Sequence, residues 1–68
     1  MAGIYKITEL VGTSPTSFAE AVRAAVEEAS KTIRHMAWFE VVEQRGAIAD
    51  GKVTEFQVTV KIGFKVER

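Results

Sequence analysis

Hydrophobic positions along this chain follow two periods, and the points where one gives way to the other predict its elements. Residues 4–11, Ile-Tyr-Lys-Ile-Thr-Glu-Leu-Val, mix β-branched with polar residues and read as a first strand. Tyr5, Ile7 and the adjacent Leu10 and Val11 do not alternate cleanly, so the inner face of that strand stays open. Gly12-Thr-Ser-Pro15 reads as the break that ends it. The period then changes. Phe18, Val22, Ala25, Val26, Ala29 and Ile33 recur at three- and four-residue spacing, which predicts an amphipathic helix over 15–35. Ser14 suits the cap with Pro15 in the first helical position, and Ser17 with Glu20 offers a capping box one turn later. The polar face carries Glu20, Arg23, Glu27, Lys31 and Arg34. Arg23–Glu27 and Glu27–Lys31 have i,i+4 spacing, each pair contributing ~0.3 kcal/mol. Lys31, Arg34 and His35 are expected to complement the dipole at the helix C-terminus.

Alternation returns in two runs, 37–49 and 52–66, joined by Asp50-Gly51. Asp-Gly between β-rich runs is a strong hairpin signal, because a two-residue type I′ turn needs positive φ at both central positions. Such a turn sets Phe39 opposite Ile62 and Val41 opposite Val60, an apolar face for the helix to cover. On the other face it sets Trp38 opposite Gly63, Glu40 opposite Lys61, Val42 opposite Thr59 and Gln44 opposite Gln57. The predicted fold is α+β, in the order β-α-β-β: one helix packed on a three-stranded antiparallel sheet. The order of strands within the sheet is not fixed by this pattern.

Sixty-eight residues suit a single domain, 1–68. A domain this small buries too little surface to be very stable alone, and there is no Cys to staple it or to bind a metal as thiolate. One His rules out a His cluster within one chain, so self-association is the expected remedy. The hydrophobic fraction of 47% suits a folded chain, and zero formal net charge without a basic tract argues against nucleic acid. No apolar run approaches the ~20 residues a membrane helix needs. The first residues lack a charged segment followed by an apolar core, so no signal peptide is expected and the cytoplasm is the expected compartment.

No catalytic set emerges: His35 has no nucleophile motif beside it, Glu27-Glu28 lies on a solvated helix face, and no metal-ligand spacing is present. Gly12-Thr-Ser-Pro before a helix would suit a phosphate but lacks the lysine and repeated glycines of a P-loop, so a capped turn explains it better. Trp38 is different. It is a large aromatic on the sheet face that the helix does not need, so it calls for another subunit, a flat ligand, or both. Indole offers a broad stacking face, and the Gln57 amide offers donor and acceptor together for the mixed edge of a pyrimidine-like ring.

The ordered set Gly12-Thr-Ser14, amphipathic helix, Trp38-Phe-Glu-Val41, Arg45-Gly46, Asp50-Gly51, Phe56-Gln-Val58, Gly63-Phe64 resembles the dodecin family, and the resemblance covers essentially the whole chain. It implies a small, non-catalytic flavin-binding protein, assembled as a hollow homododecamer with helices outside. It implies flavins held in pairs between tryptophans of neighbouring subunits, with storage or photoprotection through quenching as the role. The bacterial-type members, which this chain resembles most, favour FMN, with riboflavin or other flavins also open, and some bind coenzyme A. Carried over, Trp38 matches the stacking tryptophan, Gln57 the glutamine on the pyrimidine edge, and Arg45 the arginine near the ring and phosphate. In the simple hairpin register Arg45 faces away from Trp38. Its role therefore requires a β-bulge near Glu43-Gln44, or service to another subunit's site. The rival readings are a shell-forming interaction module in which Trp38 buries only protein, and a coenzyme A or nucleotide carrier using Lys6, Lys65 and Arg68 for phosphates.

Overall fold

A computed structural model describes residues 3–66. Strand β1 spans Tyr5–Ser14, helix α1 Phe18–Ala29, strand β2 Met36–Ala49 and strand β3 Lys52–Lys65. The three strands form one antiparallel sheet in the order β1-β3-β2, so the α+β arrangement expected from the two periods is what the chain adopts. β3, whose apolar positions alternate most regularly, is the central strand. Asp50 and Gly51 both have positive φ, 54° and 74°, as the two-residue turn requires.

Two elements, β1 and α1, differ in extent from the sequence reading by more than one residue. Gly12 does not end β1; the strand continues through it to Ser14. A Cβ at Gly12 would fall on the Ala21 carbonyl oxygen and within 2.8 Å of Ala25 Cβ. The glycine is therefore there to let α1 lie close on β1, which is a packing demand with no signature in local turn chemistry. The helix is shorter than 15–35. Ser17, not Ser14, is the cap, and its Oγ accepts from the Glu20 amide at 3.1 Å. Ser14 is instead a buried end of β1 whose Oγ accepts from the Thr16 amide at 3.0 Å. The Glu20 carboxylate turns to Arg23 (2.7 Å), and Lys31 pairs with Glu28 (3.0 Å), so i,i+3 partners replace the expected i,i+4 ones.

At its other end α1 stops at Ala29, and the bonds Lys31 N–H to Glu28 O and Thr32 N–H to Ala29 O tighten the chain into turns. Lys31, Arg34 and His35 thus lie beyond the last helical turn, which itself carries no basic residue. His35 takes a left-handed conformation, φ 63°, and its carbonyl accepts from the Lys65 amide at 3.1 Å. That residue turns the chain into β2.

The core sits between α1 and the β1–β3 half of the sheet. Ala21 and Ala25 pack on Val58 and Val60, with Leu10 and Val22 at the margin. Small residues on the helix bring it close; a stripe of larger ones would have held it off. Phe18 meets Phe56 edge-on at the helix start, ring centroids 5.0 Å apart. The expected partners Phe39 and Val41 are correctly opposite Ile62 and Val60, but they are not covered: Phe39 is 51% and Val41 40% exposed. An open cleft of about 620 Å³ separates them from Val22 and Val26 of α1. The helix covers two strands, and the third keeps an apolar inner face bare.

Candidate functional site

The outer face of the sheet, away from α1, carries the candidate site residues. Near the hairpin base the register is the one a two-residue turn gives: Trp38 lies opposite Gly63, Glu40 opposite Lys61, and Val41 opposite Val60. It then slips. Val42 is the extra residue of a bulge between Val41 and Glu43, so Glu43 faces Thr59 and Arg45 faces Gln57. The expected pairs Val42–Thr59 and Gln44–Gln57 do not form. A second irregularity between Ala47 and Ile48, with Thr54 as the extra residue on β3, restores the turn's own register at Ile48–Val53. The two shifts compensate, so 43–47 is displaced against β3; a third irregularity, between Met36 and Trp38, displaces Met36 at the start of β2.

The consequence for chemistry is direct. Gln57, Thr59, Lys61 and Gly63 share one face of β3, so Arg45 and Glu43 join the face that holds Trp38. Arg45 donates from Nε to Gln57 Oε1 at 3.0 Å, and from Nη1 to Glu43 Oε1 at 3.0 Å and Thr59 Oγ1 at 3.1 Å. Gln57 donates from Nε2 to Glu55 Oε1 at 2.8 Å. These bonds fix the amide's orientation: its oxygen points to Arg45 and its nitrogen to Glu55.

Trp38 lies over Gly63. A Cβ there would fall on the indole Cε2 and Cζ2, so the glycine lets the ring lie down on the strand. Tyr5, the β1 residue paired with Lys65, supports it from the side at 5.2 Å between centroids, with the rings tilted by 48°. One indole face is therefore taken by the sheet, and with 44% of the residue exposed the other remains for a partner. Tyr5 was not singled out by the sequence. Its register with Lys65, one step past Gly63, is the signal that would have found it, and that register depends on the strand order.

The three residues are not all together. Arg45 and Gln57 touch, but Gln57 and Gly63 are separated along β3 by about 20 Å at the usual strand rise. No single ring system bridges Trp38 and Gln57 of the same chain. The phosphate contacts of the coenzyme A reading do not converge either. Lys65 is on the Trp38 face with Tyr5, Lys6 pairs with Phe64 on the opposite face, and Arg68 lies outside the described residues. Among the described residues no group of three His, Asp or Glu is placed to hold a metal ion, and no helix is long and apolar enough to cross a membrane.

Comparison with known proteins gives one answer. The family model described as Dodecin matches residues 4–67. The dodecin of Thermus thermophilus is 48% identical over 67 residues, covering 98% of this chain and 97% of that protein. The solved dodecin of Streptomyces davaonensis superposes with a TM-score of 0.95 at 41% identity over 100% of both chains. The calcium dodecin of Mycobacterium tuberculosis is more distant, 33% identical over 93% of this chain and 89% of its own. Its structure, described with a calcium-binding site, superposes at a TM-score of 0.82, at 31% identity over 94% of this chain and 91% of its own.

Proposed function

Because this chain belongs to the dodecin family, we infer that it is a non-catalytic protein that binds flavins, FMN and secondarily riboflavin, and holds them in a cytoplasmic homododecamer for storage or photoprotection. The observation that carries the reading is the bulge at Val42. It turns Arg45 onto the face of Trp38 and Gln57, supplying a stacking surface, an amide and a cation for a ring, its polar edge and its phosphate. The span from Trp38 to Gln57 favours a shared site, in which an indole of one copy and an amide of another would enclose the same flavin. That accounts for the exposed indole and for a need to assemble. The bare inner face of β2 beside α1 points the same way, since a second copy is the natural cover for Phe39 and Val41.

Coenzyme A is the weaker ligand, because Lys6 and Lys65 face opposite ways. A shell that binds nothing explains Trp38 but leaves the arrangement of Arg45, Gln57 and Gly63 without a purpose. Titration of riboflavin and FMN into the purified protein decides the matter. Saturable binding with loss of flavin fluorescence is the expected result, and a protein that assembles but leaves flavin fluorescence untouched overturns it.

A further inference from the structure

Arg45 does not wait with its charge free. Its Nη1 lies 3.0 Å from Glu43 Oε1, and both groups stand on the face assigned to the ligand. A flavin phosphate carries about −1.5 to −2 charges near neutral pH, as other phosphate monoesters do. To use Nη1 it must displace the Glu43 carboxylate. To approach through Nη2, which takes no part in these bonds, it must settle beside a like charge. A flavin without phosphate meets neither obstacle. We propose that Glu43 is the residue that sets how strongly this surface prefers a phosphorylated flavin, by occupying and offsetting the charge of Arg45.

The alternative is that Glu43 helps by holding Arg45 in place. The hydrogen bonds speak against it. Gln57 Oε1 already fixes Nε and Thr59 Oγ1 already accepts from Nη1, so two neutral acceptors on β3 orient the guanidinium without the carboxylate. Glu43 is also the more exposed partner of the ion pair, 67% against 40% for Arg45, so it is the group that moves aside.

The inference rests on the flavin reading, and the test separates the two. Dissociation constants for FMN and riboflavin are measured on the assembled wild-type protein, on E43Q and on E27Q, a charge control on the helix layer. The expected result is a preference for FMN over riboflavin raised about three- to fivefold in E43Q and unchanged in E27Q. The gain should shrink as salt is raised from about 0.01 M to 1 M, because screening acts on charge and not on shape. Wild-type binding of both flavins with an unchanged or lowered preference in E43Q overturns the role of Glu43 alone. An equal gain in E27Q assigns the effect to net charge and overturns it too. A wild-type protein that binds neither flavin overturns the flavin reading and this inference with it.

Discussion

β2 and β3 are adjacent strands of one hairpin, equal in length, yet they do different work. β3 buries Val58, Val60 and Ile62 almost completely. β2 sets Val41 and Phe39 directly opposite the last two of these and leaves them exposed. At these positions the pairing register is the simple one, and both strands turn apolar side chains to the inner face. The difference is the position of α1, which lies over β1 and β3 and stops short of β2. β3 therefore carries the fold with its inner face and adds Gln57 to the candidate site with its outer one, while β2 bears an apolar inner face that α1 leaves bare and an outer face with Trp38, Glu43 and Arg45.

If that division is right, substitutions on the two strands should separate cleanly. The largest effect belongs to β3. Ile62→Ala removes a fully buried side chain from the central strand and should cost about 2–5 kcal/mol, read from the midpoint of urea unfolding. Its partner across the ladder should behave differently. Phe39→Asp should shift sedimentation from a large species to a small one while helical circular dichroism is retained; an intact assembly would place Phe39 outside any interface. Trp38→Ala should leave unfolding within about 1 kcal/mol of wild type, since the indole lies outside the helix–sheet core. It should weaken flavin at least about tenfold, which needs only ~1.4 kcal/mol, and relieve the quenching of whatever flavin remains. Unchanged affinity in a titration of that variant would remove Trp38 from the site. The smallest effect is Arg45→Ala, which should weaken FMN by about three- to tenfold more than riboflavin, as expected for one exposed charge-assisted contact. Equal losses for the two flavins would mean that Arg45 meets the ring, or only Gln57.

The sequence made most of this fold legible because β3 alternates cleanly from Phe56 onward and Asp50-Gly51 pins the register at the turn. What it concealed has a common cause: each missed feature depends on a neighbour distant in sequence. Gly12 looks like a strand break until α1 is laid on it. The helix looks longer than it is because Ile33 keeps the period, while the carbonyl of His35 is needed to meet Lys65 at the far end of the chain. Trp38 and Gln57 were legible as outer-face residues. Arg45 was legible only as a conflict, since counting from the turn put it on the wrong side. The doublet Val41-Val42 is a breach of alternation, and the bulge that resolves the conflict falls there, a residue or two before the Glu43-Gln44 position expected from the sequence. Glu43 changes faces through the same bulge, so its meeting with Arg45 was hidden by the same slip.

The strand order has a consequence for how the molecule comes into being. β3 is the last of the four elements in the chain and the only one that touches both other strands. β1 and α1 therefore leave the ribosome with no ladder to join, and the first two-thirds of the chain has no sheet of its own. The β2–β3 hairpin, closed by two residues, is the local event and forms on the microsecond scale typical of hairpins. Pairing β1 with β3 closes the longest loop of the sheet, so contact order predicts it as the slower step. A hairpin formed first would show apolar residues on both faces, so the surfaces proposed for recognition between chains are also those exposed during folding.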